Sequence, residues 1–226
     1  MTLRESLAIV IVNLDLKLDT AECIHSLLKA GADLSKIIVV DNGSKDGSIA
    51  FLRNEFGPEL ILIDAVENRG YAHGLNLGIQ KGLECNTEWF FLMNNDTIVD
   101  SQFLIELNSA TLHNPDCALF GPLILYYSEP KRIWYLGDRL IPGTLITYNP
   151  FRGKQDQDDL SSTIPVDFLH GCGMMVKRMV FEKIGVFDDW SLIYAEEVEF
   201  LWRARQAGFG PWAFPVRKCG IRSRPT

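Results

Sequence analysis

The chain has 226 residues, 47% hydrophobic and 23% charged, enough apolar material for the core of an α/β unit and too much for a disordered tail. Its 22 basic and 29 acidic side chains give a formal net charge of −7, which excludes a general nucleic-acid binder, because that function needs a basic face to displace counterions. An anionic ligand must be met by local contacts.

Leu7 to Val12 (LAIVIV) is an unbroken β-branched run, the pattern of a central parallel strand covered on both faces. In DTAECIHSLLKAG, Asp19 or Thr20 can cap a helix whose apolar face is Ala21, Ile24, Leu27 and Leu28, ending at Gly31. Ile37 to Val40 repeats the strand pattern and runs into DNGSKDGS, after which Ile49, Leu52 and Phe56 line a second helix. Leu60 to Asp64 reads as a third strand, Tyr71 to Leu83 as a helix and Trp89 to Met93 as a fourth strand. This alternation predicts a doubly wound parallel sheet with helices on both faces.

The second half is less regular. Asp100 or Ser101 caps a helix to about His113, and Cys117 to Tyr127 (CALFGPLILYY) reads as a strand. Ser128 to Thr163, rich in Gly, Pro, Tyr and Trp, reads as an excursion or flexible loop. Val166 to Arg178 (VDFLHGCGMMVKR) reads as a strand and RMVFEKIG as a short helix, followed by a helix over EEVEFLWRARQAG that stops at Gly208. No repeat or linker divides the chain, so residues 1–226 are expected to form one domain.

Ligands of open parallel sheets sit outside the C-terminal ends of the strands, where helix N-termini aim free N–H groups. Asn13 follows the first strand, Asp41 the second, Asn68 and Arg69 the third, and Asn94-Asn95-Asp96 the fourth, which places them on one rim. Each has a structural alternative. Asp41 to Ser44 and Asn94 to Asp96 suit turns, Asp46 to Ser48 suits a helix cap, and Gly70, Gly74 and Gly78 form a stripe that close packing explains as readily as ligand approach. The loop NLDLKLD carries no G-x-G-x-x-G, which argues against a dinucleotide site, and no G-x-x-x-x-G-K-[ST] is present. His25, His73, His113 and His170 lack zinc spacing. Cys23, Cys85, Cys117, Cys172 and Cys219 form no C-x-x-C pair, so reduced thiols in a cytoplasmic protein are expected. No apolar run approaches the roughly 20 residues of a membrane span, and no signal-peptide layout is present. Peripheral membrane contact stays open.

In order, IVIVNLD, VVDNGSKDGS, ENRGYAHGLNLGI, FFLMNNDTIV, FLHGCGMMVKR, IGVFDD and YAEEVEFLWRARQAGF resemble the blocks of the family 2 inverting glycosyltransferases, especially their rhamnosyltransferase-like branch. They span about residues 7 to 210. The resemblance implies a GT-A fold: a Rossmann-like, mostly parallel central sheet flanked by helices, with a smaller acceptor-side subregion. Residues to about 100 would form the nucleotide-sugar half, and about 101–226 the acceptor-binding and catalytic half. It further implies a UDP- or dTDP-sugar donor, a saccharide or lipid-linked acceptor in cell-surface polysaccharide synthesis, and a cytoplasmic site at the inner face of a membrane.

By the same resemblance Asp41 accepts a hydrogen bond from the nucleotide base, with Asn13, Asn68 and Arg69 shaping that pocket. Asn94 and Asn95 shape a turn and touch ribose. Asp96 is the carboxylate of a D-x-D-like motif that binds Mn2+ or Mg2+, hard cations that prefer oxygen ligands. Glu197 is the expected base and Glu196 the acceptor-positioning residue, with Glu where the family usually has Asp. From spacing alone, Glu196, Glu197 and Glu199 equally suit the positive end of a helix. Gly171 and Gly173 would let the backbone approach the sugar, and Trp134, Tyr135 and Trp190 stack on an acceptor sugar or pack in the core. The family's blocks continue after WAFPV into a stretch bearing a His that joins the metal. RKCGIRSRPT has no such His, so weaker metal binding or activity is expected, with Arg217, Lys218, Arg222 and Arg224 read as a frayed basic tail. Two alternatives stay open: a nucleotide-sugar-binding module without turnover, and a sugar-phosphate nucleotidyltransferase, although the first loop lacks the latter's glycine-rich basic signature.

Overall fold

The computed structural model describes residues 3–144, 146–156, 163–189 and 196–221, the last five of these as backbone only. The chain opens with a one-turn helix α1 (Leu3–Ser6) and β1 (Leu7–Asn13), followed by α2 (Lys17–Lys29), β2 (Ile37–Asp41), α3 (Ser48–Phe56), β3 (Ile61–Asp64), α4 (Tyr71–Leu83) and β4 (Trp89–Asn94). Then come α5 (Phe103–His113), β5 (Leu119–Tyr126), β6 (Glu129–Tyr135), β7 (Arg139–Leu140), β8 (Thr147–Tyr148) and β9 (Ile164–Pro165). The chain continues through β10 (Gly173–Lys177), α6 (Arg178–Ile184), α7 (Glu196–Gln206) and β11 (Trp212–Ile221).

The main sheet has the order β3-β2-β1-β4-β10-β5-β11-β9, with β6 paired to β5. The first four strands are parallel, as the alternating pattern requires. Because side chains alternate across a strand, its apolar runs serve two cores at once. Val10, Val12, Ile38, Val40, Phe90 and Leu92 meet Leu75 and Ile79 of α4 on one face. Ile9, Ile11, Ile37, Val39, Phe91 and Met93 meet Ile24 and Leu27 of α2 and Phe103 and Leu107 of α5 on the other. Each fully buried side chain of this size contributes about 1.5–3 kcal/mol, so the two-sided strands form the rigid frame on which the rim loops stand.

Helix α4 lies close against the sheet. A methyl group on Gly74 would meet Val12 Cγ1 at 2.8 Å, one on Gly78 would meet Val10 Cγ1 at 2.3 Å, and one on Gly82 would meet Phe90 Cε1 at 2.4 Å. Close packing is therefore what the stripe serves, displaced by one turn to Gly82. Gly31 and Gly208 take φ of 92° and 95° and end α2 and α7 as expected.

Strand β10 runs antiparallel to β4, from Gly173 opposite Met93 to Lys177 opposite Trp89. That reversal brings the residues just before β10 to the C-terminal rim of β4. It is the step that builds the site.

Four expectations are corrected. Helix α2 starts at Lys17 without a side-chain cap, and Thr20 instead donates to Asn13 Oδ1 at 2.8 Å. The Ser128 to Thr163 stretch carries β6, which pairs with β5, and the β7–β8 hairpin, because its aromatic and β-branched residues supply cross-strand partners. Only Gly173 to Lys177 of VDFLHGCGMMVKR is strand. After WAFPV the backbone stays in strand β11 as far as Ile221, with Arg217 opposite Leu123 and Lys218 opposite Ile124. Trp190, Arg222 and Arg224 lie outside the described residues, as do the side chains of Arg217, Lys218 and Cys219. Cys23, Cys85, Cys117 and Cys172 form no disulfide among the described residues. No helix among the described residues is long and apolar enough to cross a membrane.

Candidate active site

At the C-terminal ends of β1, β2 and β4 the polar residues bind one another first. Asn13 and Asp41 are 0% and 1% exposed. Asn13 Nδ2 donates to Asp41 Oδ2 at 2.7 Å and lies 3.1 Å from Ser44 Oγ, while Asp41 Oδ1 accepts from the Ser44 N–H at 2.8 Å. Asn95 Nδ2 donates to Asn13 Oδ1 at 3.1 Å and to Thr20 Oγ1 at 3.0 Å. Leaving such buried groups unpaired would cost about 1–3 kcal/mol each, so the network locks three strand ends and α2 in one arrangement. Asn42 donates to Asn68 Oδ1 at 3.0 Å and to the Gly70 carbonyl at 3.1 Å, which ties the loop after β3 to the loop after β2.

Above this network lies a cavity of about 760 Å³. Val12, Leu14, Leu16, Asn42 and Asn68 line it from the ends of β1 to β3. Tyr71, Asn94, Asn95 and Asp96 also line it, as do Asp138, Phe168, His170, Glu196 and Glu197 from the second half of the chain. The rim of the parallel strands and the head of α7 thus face one space. A nucleotide-sized group fits a cleft of this size and mixed lining.

Glu197 Oε1 accepts the Gly171 N–H at 3.0 Å. A methyl group on Gly171 would fall 2.2 Å from that oxygen, so a side chain there would displace the carboxylate from this position. Burial raises the Glu197 carboxyl above its ordinary range and the neighbouring Glu196 charge adds to it, while the Gly171 N–H opposes both. Glu199 is spent elsewhere: it pairs with Arg203, whose Nη2 also reaches the Val186 carbonyl at 2.8 Å. The three glutamates of the first turn therefore do not share one helix-end role. Tyr71 donates to Asn94 Oδ1 at 2.9 Å.

The structure brings Asn68, Asn94, Asn95, Asp96, Glu196 and Glu197 to the cavity wall. Asn13 and Asp41 are not on that wall, and Gly171 meets it through Glu197. Arg69 is exposed and makes no ion pair among the described residues. Tyr135 is buried, donates to the Phe168 carbonyl at 3.0 Å, and packs with Trp134 edge-on to His170, so both rings serve packing. Asn42, Tyr71 and Asp138 were not among the expected site residues, and His170, expected to be a surface or packing residue, lines the cavity as well. Asn42 and Tyr71 stood within motifs already singled out, and His170 directly precedes Gly171.

The mixed sheet, parallel from β3 through β4, with a carboxylate at the end of β4 and an acidic pair at the head of a later helix, is the α/β arrangement of a GT-A fold. The chain belongs to glycosyl transferase family 2, whose model matches residues 6–185. It is similar to the low-salt glycan biosynthesis hexosyltransferase Agl10 of Haloferax volcanii, 28% identical over 215 residues covering 91% of this chain and 63% of that protein. It also resembles the N-acetylglucosaminyl-diphospho-decaprenol L-rhamnosyltransferase of Mycobacterium tuberculosis, 26% identical over 193 residues, or 76% of this chain and 62% of that one. The chain thus spans less than two thirds of the length of these curated relatives.

Among solved structures, the mannosyltransferase PcManGT of Pyrobaculum calidifontis, in complex with GDP-Man and Mn2+, superposes with a TM-score of 0.67 at 16% identity, covering 97% of this chain and 57% of that one. GalNAc-T7 with UDP, GalNAc and Mn2+ superposes with a TM-score of 0.73 at 14% identity, covering 98% and 45%. At these identities the shared property is the fold.

Proposed function

We propose that this chain is an inverting, metal-dependent glycosyltransferase that moves a sugar from a UDP- or dTDP-sugar to a saccharide or lipid-linked acceptor at the inner, cytoplasmic face of a membrane. The observation that carries the reading is the convergence of Asp96, Glu196 and Glu197 on one cavity. Rhamnose is the favoured sugar and surface polysaccharide synthesis the favoured setting, supported by the mycobacterial relative whose name gives a decaprenol-linked acceptor.

Asn42 and Asn68 line the nucleotide end, held from behind by Asn13 and Asp41, with Arg69 at its outer edge and Asn94 and Asn95 beneath the ribose. Glu197 removes the acceptor hydroxyl proton as that oxygen attacks the anomeric carbon from the face opposite the leaving group, and Glu196 positions the acceptor. A carboxyl raised by burial is a stronger base than an exposed one, which suits that step.

A divalent cation is implied by the family and by the Mn2+ named with both solved relatives. The described residues gather no group of three or more His, Cys, Asp or Glu, so they form no all-protein cage. They fit the other common arrangement, in which one or two carboxylates meet an ion whose shell is completed by substrate phosphate and water. Asp96 would be that carboxylate. Mn2+ or Mg2+ bound there would supply positive charge to offset that of the leaving nucleoside diphosphate.

The test is transfer and donor hydrolysis with dTDP-rhamnose, UDP-GalNAc and GDP-mannose, with and without Mn2+. Mn2+-dependent turnover of at least one donor is expected. Nucleotide binding without turnover of any donor would favour a binding module instead. Asp96→Asn should weaken UDP binding in the presence of Mn2+ by roughly tenfold, the size of one charge-assisted contact of about 1.4 kcal/mol. An unchanged metal requirement would remove Asp96 from that role.

A further inference from the structure

Tyr71 opens α4 and lines the same cavity as Asp96 and Glu197. Its hydroxyl is 2.9 Å from Asn94 Oδ1 and 3.5 Å from the Gly171 carbonyl oxygen. On its other side the Gly171 residue donates its N–H to Glu197 Oε1 at 3.0 Å. The phenol therefore stands between the end of β4, two residues from Asp96, and the backbone that seats Glu197.

A tyrosine hydroxyl has one proton and two lone pairs, so it donates fully to one carbonyl at a time. The shorter bond goes to Asn94, and the Gly171 carbonyl takes a longer, weaker share of the same proton. Burial, with the charges of Glu197, Glu196 and Asp96 nearby, keeps the hydroxyl well above the ordinary tyrosine range, so it stays a neutral donor. Gly171 is in direct contact with the Glu197 carboxylate, where even a methyl group would overlap.

We infer that Tyr71 is a positioning residue: its hydroxyl braces the Gly171 loop against Asn94 and so fixes the Glu197 carboxylate for deprotonation of the acceptor. The inference rests on the transferase reading with Glu197 as base. A general base displaced by about 1 Å loses on the order of a hundredfold in rate, so a partial loosening of this loop has a kinetic signature. A tyrosine that served packing alone would instead change stability and leave the rate untouched.

The experiment is Tyr71→Phe in the full chain, which keeps the ring and removes only the oxygen. The kcat of transfer should fall at least fivefold, while donor KM and UDP binding in Mn2+ stay within twofold and the ring keeps the chain folded in a thermal melt. A smaller loss of kcat overturns the inference, as does a loss matched by weaker UDP binding, which would make Tyr71 a donor contact. Glu197→Gln separates the two levels. If it still transfers sugar, the base assignment itself fails. If it is inactive while Tyr71→Phe matches the unaltered chain, only the role of Tyr71 fails.

Discussion

Burial beside Glu196 lifts the Glu197 carboxyl above its ordinary value of 4.5, and the Gly171 N–H pulls it part of the way back. The unfolded chain ionises this group at the ordinary value. Between that pH and the raised folded value the native state binds the extra proton, so stability falls as pH rises through this window and is constant above it. Glu197→Gln keeps an oxygen for the Gly171 N–H and removes the charge. It should melt higher than the unaltered chain at about pH 8 and equally at about pH 3, where both states are neutral. It should also abolish transfer while sparing donor binding. Near-normal turnover would sink the base assignment, and an equal gain in Tm at both pH values would sink the buried-charge account. Spacing alone left Glu196, Glu197 and Glu199 equivalent. Only their partners separate Glu199, paired with Arg203, from the two that reach the cavity.

Helix α4 sets the depth of the cleft, since Tyr71 and the loop before it move with the helix. At Gly78 a methyl group would lie 2.3 Å from Val10 Cγ1 and 3.3 Å from Val40 Cγ2. Gly78→Ala gains roughly 1 kcal/mol of helix propensity and loses about 1–3 kcal/mol to overpacking. The overlap is severe enough for the second effect to win. A urea midpoint lower by the equivalent of about 1 kcal/mol is expected, and a midpoint equal to or above the parent's would contradict close helix–sheet packing. The i, i+4 recurrence of glycine was legible in the chain. Which strand it met was not, because periodicity gives a face and no neighbour. The orientation of β10 was equally hidden: GMMVK reads as an apolar strand whichever way it pairs.

Across the whole molecule, Asn76 of α4 clasps the segment ahead of α7, donating to the Phe187 carbonyl at 2.8 Å and accepting from its N–H at 3.0 Å. Phe187 in turn stacks on Phe200 of α7 at 4.4 Å between centroids. The first half of the chain thus helps to place the helix that carries Glu196 and Glu197. Asn76→Leu would leave two buried backbone groups unpaired at about 1–3 kcal/mol each. Denaturant unfolding should report a loss of about 2–6 kcal/mol, together with reduced kcat. An unaltered midpoint would show that the clasp does not couple the halves.

Local chemistry alone determined much of this protein. β-branched runs made the parallel strands, turn and cap residues ended them, and those ends defined a rim that includes Asn68, Asn94, Asn95 and Asp96. These features depend on neighbours a few residues away, so they are written in order along the chain. The tertiary structure decided the rest through partners far apart in sequence. It turned Asp41 inward, with both oxygens bonded by Asn13 and Ser44. It reversed β10 so that Gly171 meets Glu197, and placed Tyr71 between Asn94 and Gly171. The physical reason is that burial, charge and hydrogen-bond partnership arise from packing, which no local pattern of residue types specifies.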